Sequence, residues 1–181
     1  MNIIFLDIDG VLNADSPTSK SRCDDYAGID TDKTRQLARI AQETDAKIVL
    51  ISSWKINWKP PPAPFKNYPN TPKHSRYLNN NLQKKGKLSC IDATKERNLE
   101  LRGGGIKDWL NTHPEVENWI VLDDEIFRDY EKCQIFPHLV LTDHKYGLTK
   151  SCADAAIKIL RNQDIGPYNL PPYMKGEYYG N

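Results

Sequence analysis

Asp7 and Asp9 stand two residues apart at the end of an apolar run, Asn2-Ile-Ile-Phe-Leu6, and Gly10 follows them. Two more acids, Asp123 and Asp124, close a second run, Asn118-Trp-Ile-Val-Leu122, while Ser52 and Ser53 close a third, Lys47-Ile-Val-Leu-Ile51. Neighbouring carboxylates are costly to bury unless a proton or a cation compensates them. Four brought to one point require a divalent cation, and an all-oxygen ligand set selects a hard one, Mg²⁺. A cation held in this way can bridge to a phosphate and offset its charge while a nucleophile attacks in line. Each run taken alone could end in nothing more than a polar turn. The ordered set of three carries the reading.

Convergence requires a particular framework. Apolar, β-branched runs of this length read as buried strands, and in a parallel sheet all strand C-termini lie on one edge, where ligands bind. The patterning predicts strands over 2–8, 47–51, 88–91, 118–122 and 138–142. Helices are predicted over 32–45, capped by Asp30 or Thr31, then over 74–84, from Gly103-Gly-Gly105 onward, and over 150–162. Strands alternating with helices imply an α/β fold, a Rossmann-like doubly wound parallel sheet of about five strands with helices on both faces. Residues 13–29 read as a polar loop, and Pro60-Pro-Pro-Ala-Pro64 bars regular structure locally. There is no internal repeat. The expected organisation is one domain over 1–165, carrying an insert at about 55–87, and a Pro/Tyr/Gly-rich tail over 166–181.

The formal net charge of +1 hides a strong segregation. No acid falls between Asp45 and Asp92, whereas Lys47, Lys55, Lys59, Lys66, Lys73, Arg76, Lys84, Lys85 and Lys87 do. A basic surface beside an acidic site is the implication. Cys23, Cys90, Cys133 and Cys152 show neither a CxxC pair nor zinc spacing, which suits a reduced, cytoplasmic chain. The first strand is too short for a signal segment, and no apolar stretch is long enough to span a membrane.

The run Phe5-Leu-Asp7-Ile-Asp9-Gly10-Val-Leu-Asn13, the strand ending at Ser52, and Leu122-Asp123-Asp124 together resemble the haloacid dehalogenase (HAD) superfamily of aspartate-nucleophile phosphohydrolases. Ser52-Ser53-Trp54-Lys55, Arg102-Gly-Gly-Gly-Ile106-Lys-Asp-Trp109-Leu110, Leu141-Thr-Asp143 and Gly147-Leu148-Thr149 are similar to one subgroup. That subgroup is the HAD domain of modular RNA-repair (Swiss Army Knife) proteins, related to polynucleotide 3′-phosphatase domains. The resemblance covers roughly 2–160 and is least typical over 57–87. It implies that Asp7 attacks phosphorus and that Asp9 protonates the leaving oxygen, then activates water. Ser52 would bond a phosphate oxygen. Asp123 and Asp124 would complete a Mg²⁺ site with Asp7 and the main-chain carbonyl of Asp9. An acid at position 9 disfavours the dehalogenases and P-type pumps, which lack it. The family also expects a basic residue, either Arg102 or Lys107, with Arg102 preferred because a guanidinium contacts phosphate in bidentate fashion.

Other residues carry less. Alternation turns Ser53 away from Ser52, leaving it a weaker phosphate ligand. Trp54 reads as core before it reads as a stacking platform. Trp109 and Leu110 read as packing against the sheet, and Asn13 fits a site role or a turn equally. His74, His113, His138 and His144 lack metal spacing, and the tail tyrosines have no assigned chemistry. Between Asp9 and Ser52 there is no room for a cap domain. The insert mixes lysines with Trp58, Phe65, Tyr68 and Tyr77, a composition suited to single-stranded nucleic acid, with Lys55, Lys84, Lys85 and Lys87 as candidate phosphate contacts. An ordinary solvated loop would look similar. The expectation is a phosphatase acting on a nucleic-acid end. A phosphatase of a small metabolite and a non-catalytic phosphate-binding module are the alternatives.

Overall fold

The structure is a computed structural model that describes residues 1–14, 22–23, 26–60, 72–95 and 99–163. The tail at 166–181 and most of the proline-rich insert, with Phe65, Lys66 and Tyr68, lie outside the described residues.

Five strands, β1 (Asn2–Leu6), β4 (Lys47–Leu50), β5 (Cys90–Ala93), β6 (Asn118–Asp123) and β7 (Leu139–Leu141), form one sheet in the order β5-β4-β1-β6-β7. Every pairing in it is parallel. The chain starts in the centre, winds outward through β4 and β5, then returns to build β6 and β7 on the other side. The reversal falls between β1 and β6, which is where such sheets open a crevice at their carboxyl edge.

Alternation along the strands splits the core into two layers. Ile4, Leu6, Ile48, Leu50, Ile120 and Leu122 meet helices α1 (Thr31–Thr44), α2 (Lys73–Gly86) and α4 (Lys150–Leu160). Ile3, Phe5, Val49 and Val121 meet α3 (Arg102–Asn111) and the segment carrying Tyr130 and Ile135. Phe5 takes the edges of Trp109 and Trp119 at 5.5 and 5.9 Å between ring centroids. The helix α1 begins where Asp30 accepts hydrogen bonds from the Asp32 and Lys33 amides, and its Leu37 and Ile40 are fully buried. Burial of that kind contributes roughly 1.5–3 kcal/mol per side chain.

The expected fold is present, and among the described residues no large cap interrupts it. Three local readings need correction. The polar loop at 13–29 contains a small hairpin, β2 (Arg22–Cys23) against β3 (Tyr26–Ala27), too short to leave a periodic signal. The third sheet strand runs over Cys90–Ala93 because Lys87 ends α2 in the left-handed region at φ 54° and the chain must first turn. Trp58, expected among the insert's stacking aromatics, is a core residue whose Nε1 donates to Asn79 Oδ1 at 3.1 Å.

Candidate active site

The carboxyl edge of β1 leads into a tight turn. The Asp7 amide still donates to Leu122 O at 2.9 Å, so the sheet holds the backbone of Asp7 rigidly against β6. Beyond it the Val11 and Leu12 amides donate back to Ile8 O. Gly10 makes this turn possible. Its φ is 64°, and a Cβ on it would stand 2.0 Å from Asp124 Oδ2. Thr142, beyond β7, donates its hydroxyl to Gly10 O at 2.9 Å and fixes the turn from the far side.

Asp7, Asp123 and Asp124 each offer one carboxylate oxygen, and the three lie within 4.8 Å of one another. Asp7 and Asp123 are buried and Asp124 is half-buried. The first turn of α3 supplies the compensating charge. Arg102 Nη1 stands 2.6 Å from Asp123 Oδ2 and 3.2 Å from Asp7 Oδ2, and its guanidinium carbon lies 4.1 Å from the Phe127 ring centroid. Burial alone would lower the pKa of Arg102, but Asp123 and Asp7 outweigh it and hold the guanidinium charged. Asp123 also accepts from the Tyr130 hydroxyl at 2.6 Å and, through Oδ1, from the Glu125 amide at 3.1 Å. Even so, burial and the Asp7 charge push its carboxyl above the usual range. Burial, Asp7 and Glu125 push Asp124 to about 6. This all-oxygen, over-acidic set suits a hard divalent ion, and HAD domains generally use one. Arg102 Nε is buried without a hydrogen-bond partner, an orphaned donor that a ligand oxygen could satisfy.

Asp9 is not among the three carboxylates that converge to within 4.8 Å. Its Oδ1 accepts from Asn13 Nδ2 at 2.7 Å and its Oδ2 from Trp54 Nε1 at 3.0 Å. Burial raises its pKa more than those two hydrogen bonds lower it.

Ser52 is fully buried at the end of β4, and its Oγ accepts from the Trp54 amide at 3.4 Å, opening a single 3₁₀ turn over Ser53–Lys55. Ser53 is half-buried in that turn. Lys55 Nζ donates to Thr94 Oγ1 at 2.9 Å, tying the end of β4 to the loop after β5. Of the two candidate bases, Arg102 reaches the carboxylates, whereas Lys107 Nζ lies 5.4 Å from the Trp119 ring centroid. Lys84 and Lys85 sit in the last turn of α2 and Lys87 caps it, just before the chain enters β5 at the edge opposite the acids. Lys84 and Lys87 are exposed there, and Lys85 Nζ is committed to Ile29 O at 2.5 Å.

Several supporting residues escaped the sequence reading. Asp129 accepts from the Gly103 and Gly104 amides at 3.1 and 2.8 Å, capping α3 from a distance because Leu101 at the cap position cannot. A Cβ at Gly103 would meet the Asp129 carboxylate at 3.1 Å, which accounts for a glycine following Arg102. Neither Asp129 nor Tyr130 carries a sequence signal beyond following the Asp123-Asp124 pair by a few residues. Trp54 is core, as its type suggests, and in addition donates to Asp9.

A parallel sheet that ends its central strand in Asp-x-Asp, with a buried arginine between that strand and an Asp-Asp pair, defines a HAD-like domain, a class of hydrolases that includes phosphatases. Residues 3–153 match the family model described as the HAD domain in Swiss Army Knife RNA repair proteins, and the chain belongs to that family. Neither curated proteins nor solved structures gave a match. Among the described residues no helix is long and apolar enough to cross a membrane.

Proposed function

We propose that the protein is a Mg²⁺-dependent phosphomonoesterase that works through an aspartyl-phosphate on Asp7 and removes a terminal phosphate from a nucleic acid. The observation that carries this reading is that the acids have different partners: Asp7 shares Arg102 with Asp123, while Asp9 accepts from Asn13 and Trp54. An Asp7 oxygen attacks phosphorus, the bond to the leaving oxygen breaks, and Asp9 gives that oxygen a proton. Asp9 then takes a proton from water as the water oxygen attacks phosphorus and the bond to Asp7 breaks. In this reading Arg102 steadies the nucleophile, and Ser52 bonds a phosphate oxygen from the neighbouring strand end. Asp7, Asp124 and the Asp9 carbonyl, with Asp123 beside them, would hold Mg²⁺, which supplies charge neutralisation of the phosphate.

The substrate class rests on the family's description as a domain of RNA repair proteins and on the lack of a large cap among the described residues. Lys55, at the carboxyl edge beside Ser52, adds a cation on the side of the sheet where the acids lie, whereas Lys84 and Lys87 lie at the opposite edge and lend this reading no support. Cys90, Cys133 and Cys152 are free thiols, consistent with work in the cytoplasm. The test is phosphate release from 3′- and 5′-phosphorylated oligonucleotides, mononucleotides and sugar phosphates, with and without Mg²⁺, using Asp7→Asn as the blank. A preference for oligonucleotide ends that vanishes in the blank is expected. Release confined to metabolites would overturn the substrate, and an active blank would overturn the mechanism.

A further inference from the structure

The indole of Trp54 is fully buried, edge-on to His74 at 6.5 Å and tilted over Tyr77 at 6.4 Å between centroids, both on α2. Its Nε1 nevertheless finds a carboxylate, Asp9 Oδ2, at 3.0 Å, while Asn13 takes the other oxygen at 2.7 Å. We propose that Trp54 and Asn13 are positioning residues that clamp both oxygens of Asp9, keeping this acid away from the metal cluster and poised over the leaving oxygen. The inference rests on the reading of Asp9 as the general acid.

The physical need for a clamp follows from the spacing. Asp9 lies two residues from Asp7, on a turn, close to a site that attracts carboxylates to a cation. A free side chain there would be drawn toward the cation and would no longer serve as an acid. Either movement of Asp9 toward the cluster strands a buried N–H, which costs roughly 1–3 kcal/mol for each unsatisfied group. The Trp54 ring cannot follow, because α2 packs against it. Asn13 is restrained too, since its Oδ1 accepts from the Gly10 amide at 3.0 Å. The same 3₁₀ turn that Ser52 caps therefore delivers two groups at once, the serine for phosphate and the indole for Asp9.

The test uses Trp54→Phe, which keeps the aromatic packing and removes the N–H, on two esters: p-nitrophenyl phosphate, whose leaving group needs no proton, and an alkyl phosphate, whose leaving group does. The ratio kcat/KM reports the first phosphoryl transfer. For the alkyl ester it should fall by about tenfold to a hundredfold, part of the 10²–10⁴ that general acids supply, while the aryl ester changes little. Asn13→Ala should shift the same ratio in the same direction. Equal losses on both esters, or none on either, would overturn the clamp. A wild-type chain inert toward both esters and toward phosphorylated oligonucleotides would instead sink the phosphatase reading on which it depends. The contact has its own readout independent of turnover: the Trp54 indole N–H resonance should move upfield in Asp9→Ala and stay in place in Asp124→Asn. A resonance unmoved in Asp9→Ala would equally overturn the proposal.

Discussion

Asp7 and Gly10 show how much chemistry depends on single atoms in this turn. Asp7→Asn keeps the shape but not the nucleophile, and Arg102 keeps its 2.6 Å partner in Asp123, so the fold should survive. Turnover should fall by more than about three orders of magnitude, as when other essential nucleophiles are removed; near-normal kcat in a folded variant would refute the assignment. Gly10→Ala tests the turn itself. A left-handed alanine costs on the order of 1 kcal/mol or more, and the new Cβ would collide with the Asp124 carboxylate. Stability in urea and Mg²⁺ affinity by calorimetry should therefore fall together, and an unchanged affinity would mean Asp124 does not hold the ion. The types and spacing of Asp7, Asp9, Ser52, Asp123 and Asp124 were readable because strands end where chemistry begins. What the acids do to each other was not. Whether Asp9 joins the cluster depends on where an indole forty-five residues away points its N–H, a tertiary fact with no local pattern.

At the scale of elements, legibility followed local signals. The helix α1 announces itself through the Asp30 cap and its apolar face, and all five sheet strands through their apolar runs. The start of β5 was misplaced because the left-handed Lys87 does not betray itself in sequence. The choice between Arg102 and Lys107 depended on the first turn of α3, whose cap comes from Asp129 rather than from the preceding residue. That long-range cap yields a prediction. Asp129→Ala should destabilise the protein by about 1–2 kcal/mol, the usual loss for an N-cap. It should also raise KM, because the helix start it frees is the one that carries Arg102. Asp129→Asn, which keeps one acceptor, should recover part of both. A stability loss with kinetics untouched would show that Arg102 is placed without help from the cap.

The whole molecule is organised around a stock of buried negative charge that one arginine does not neutralise. Asp123, Asp124 and Asp9 all have raised pKa values, in each case chiefly through burial. A carboxyl that titrates higher when folded than unfolded gives stability that is complete below the unfolded value of 3.8 and is lost as pH rises through the folded value, about 6 for Asp124. Without Mg²⁺, these groups should therefore weaken the fold progressively from about pH 4 to pH 7. Asp154, held low by Arg39 and Lys150, works in the opposite sense, giving stability that disappears only as the medium becomes strongly acidic. Its contribution cancels when the same protein is compared with and without Mg²⁺. That difference isolates the site. Mg²⁺ should raise Tm little near pH 5, where protons compete for the carboxylates, and more with each step toward neutrality, with protons released on binding. Thermal melts across pH, paired with Mg²⁺ titrations in buffers of different ionisation enthalpy, would measure both. A Mg²⁺-induced Tm shift that is flat or shrinks toward neutral pH would mean the carboxylate cluster is not the ion's binding site.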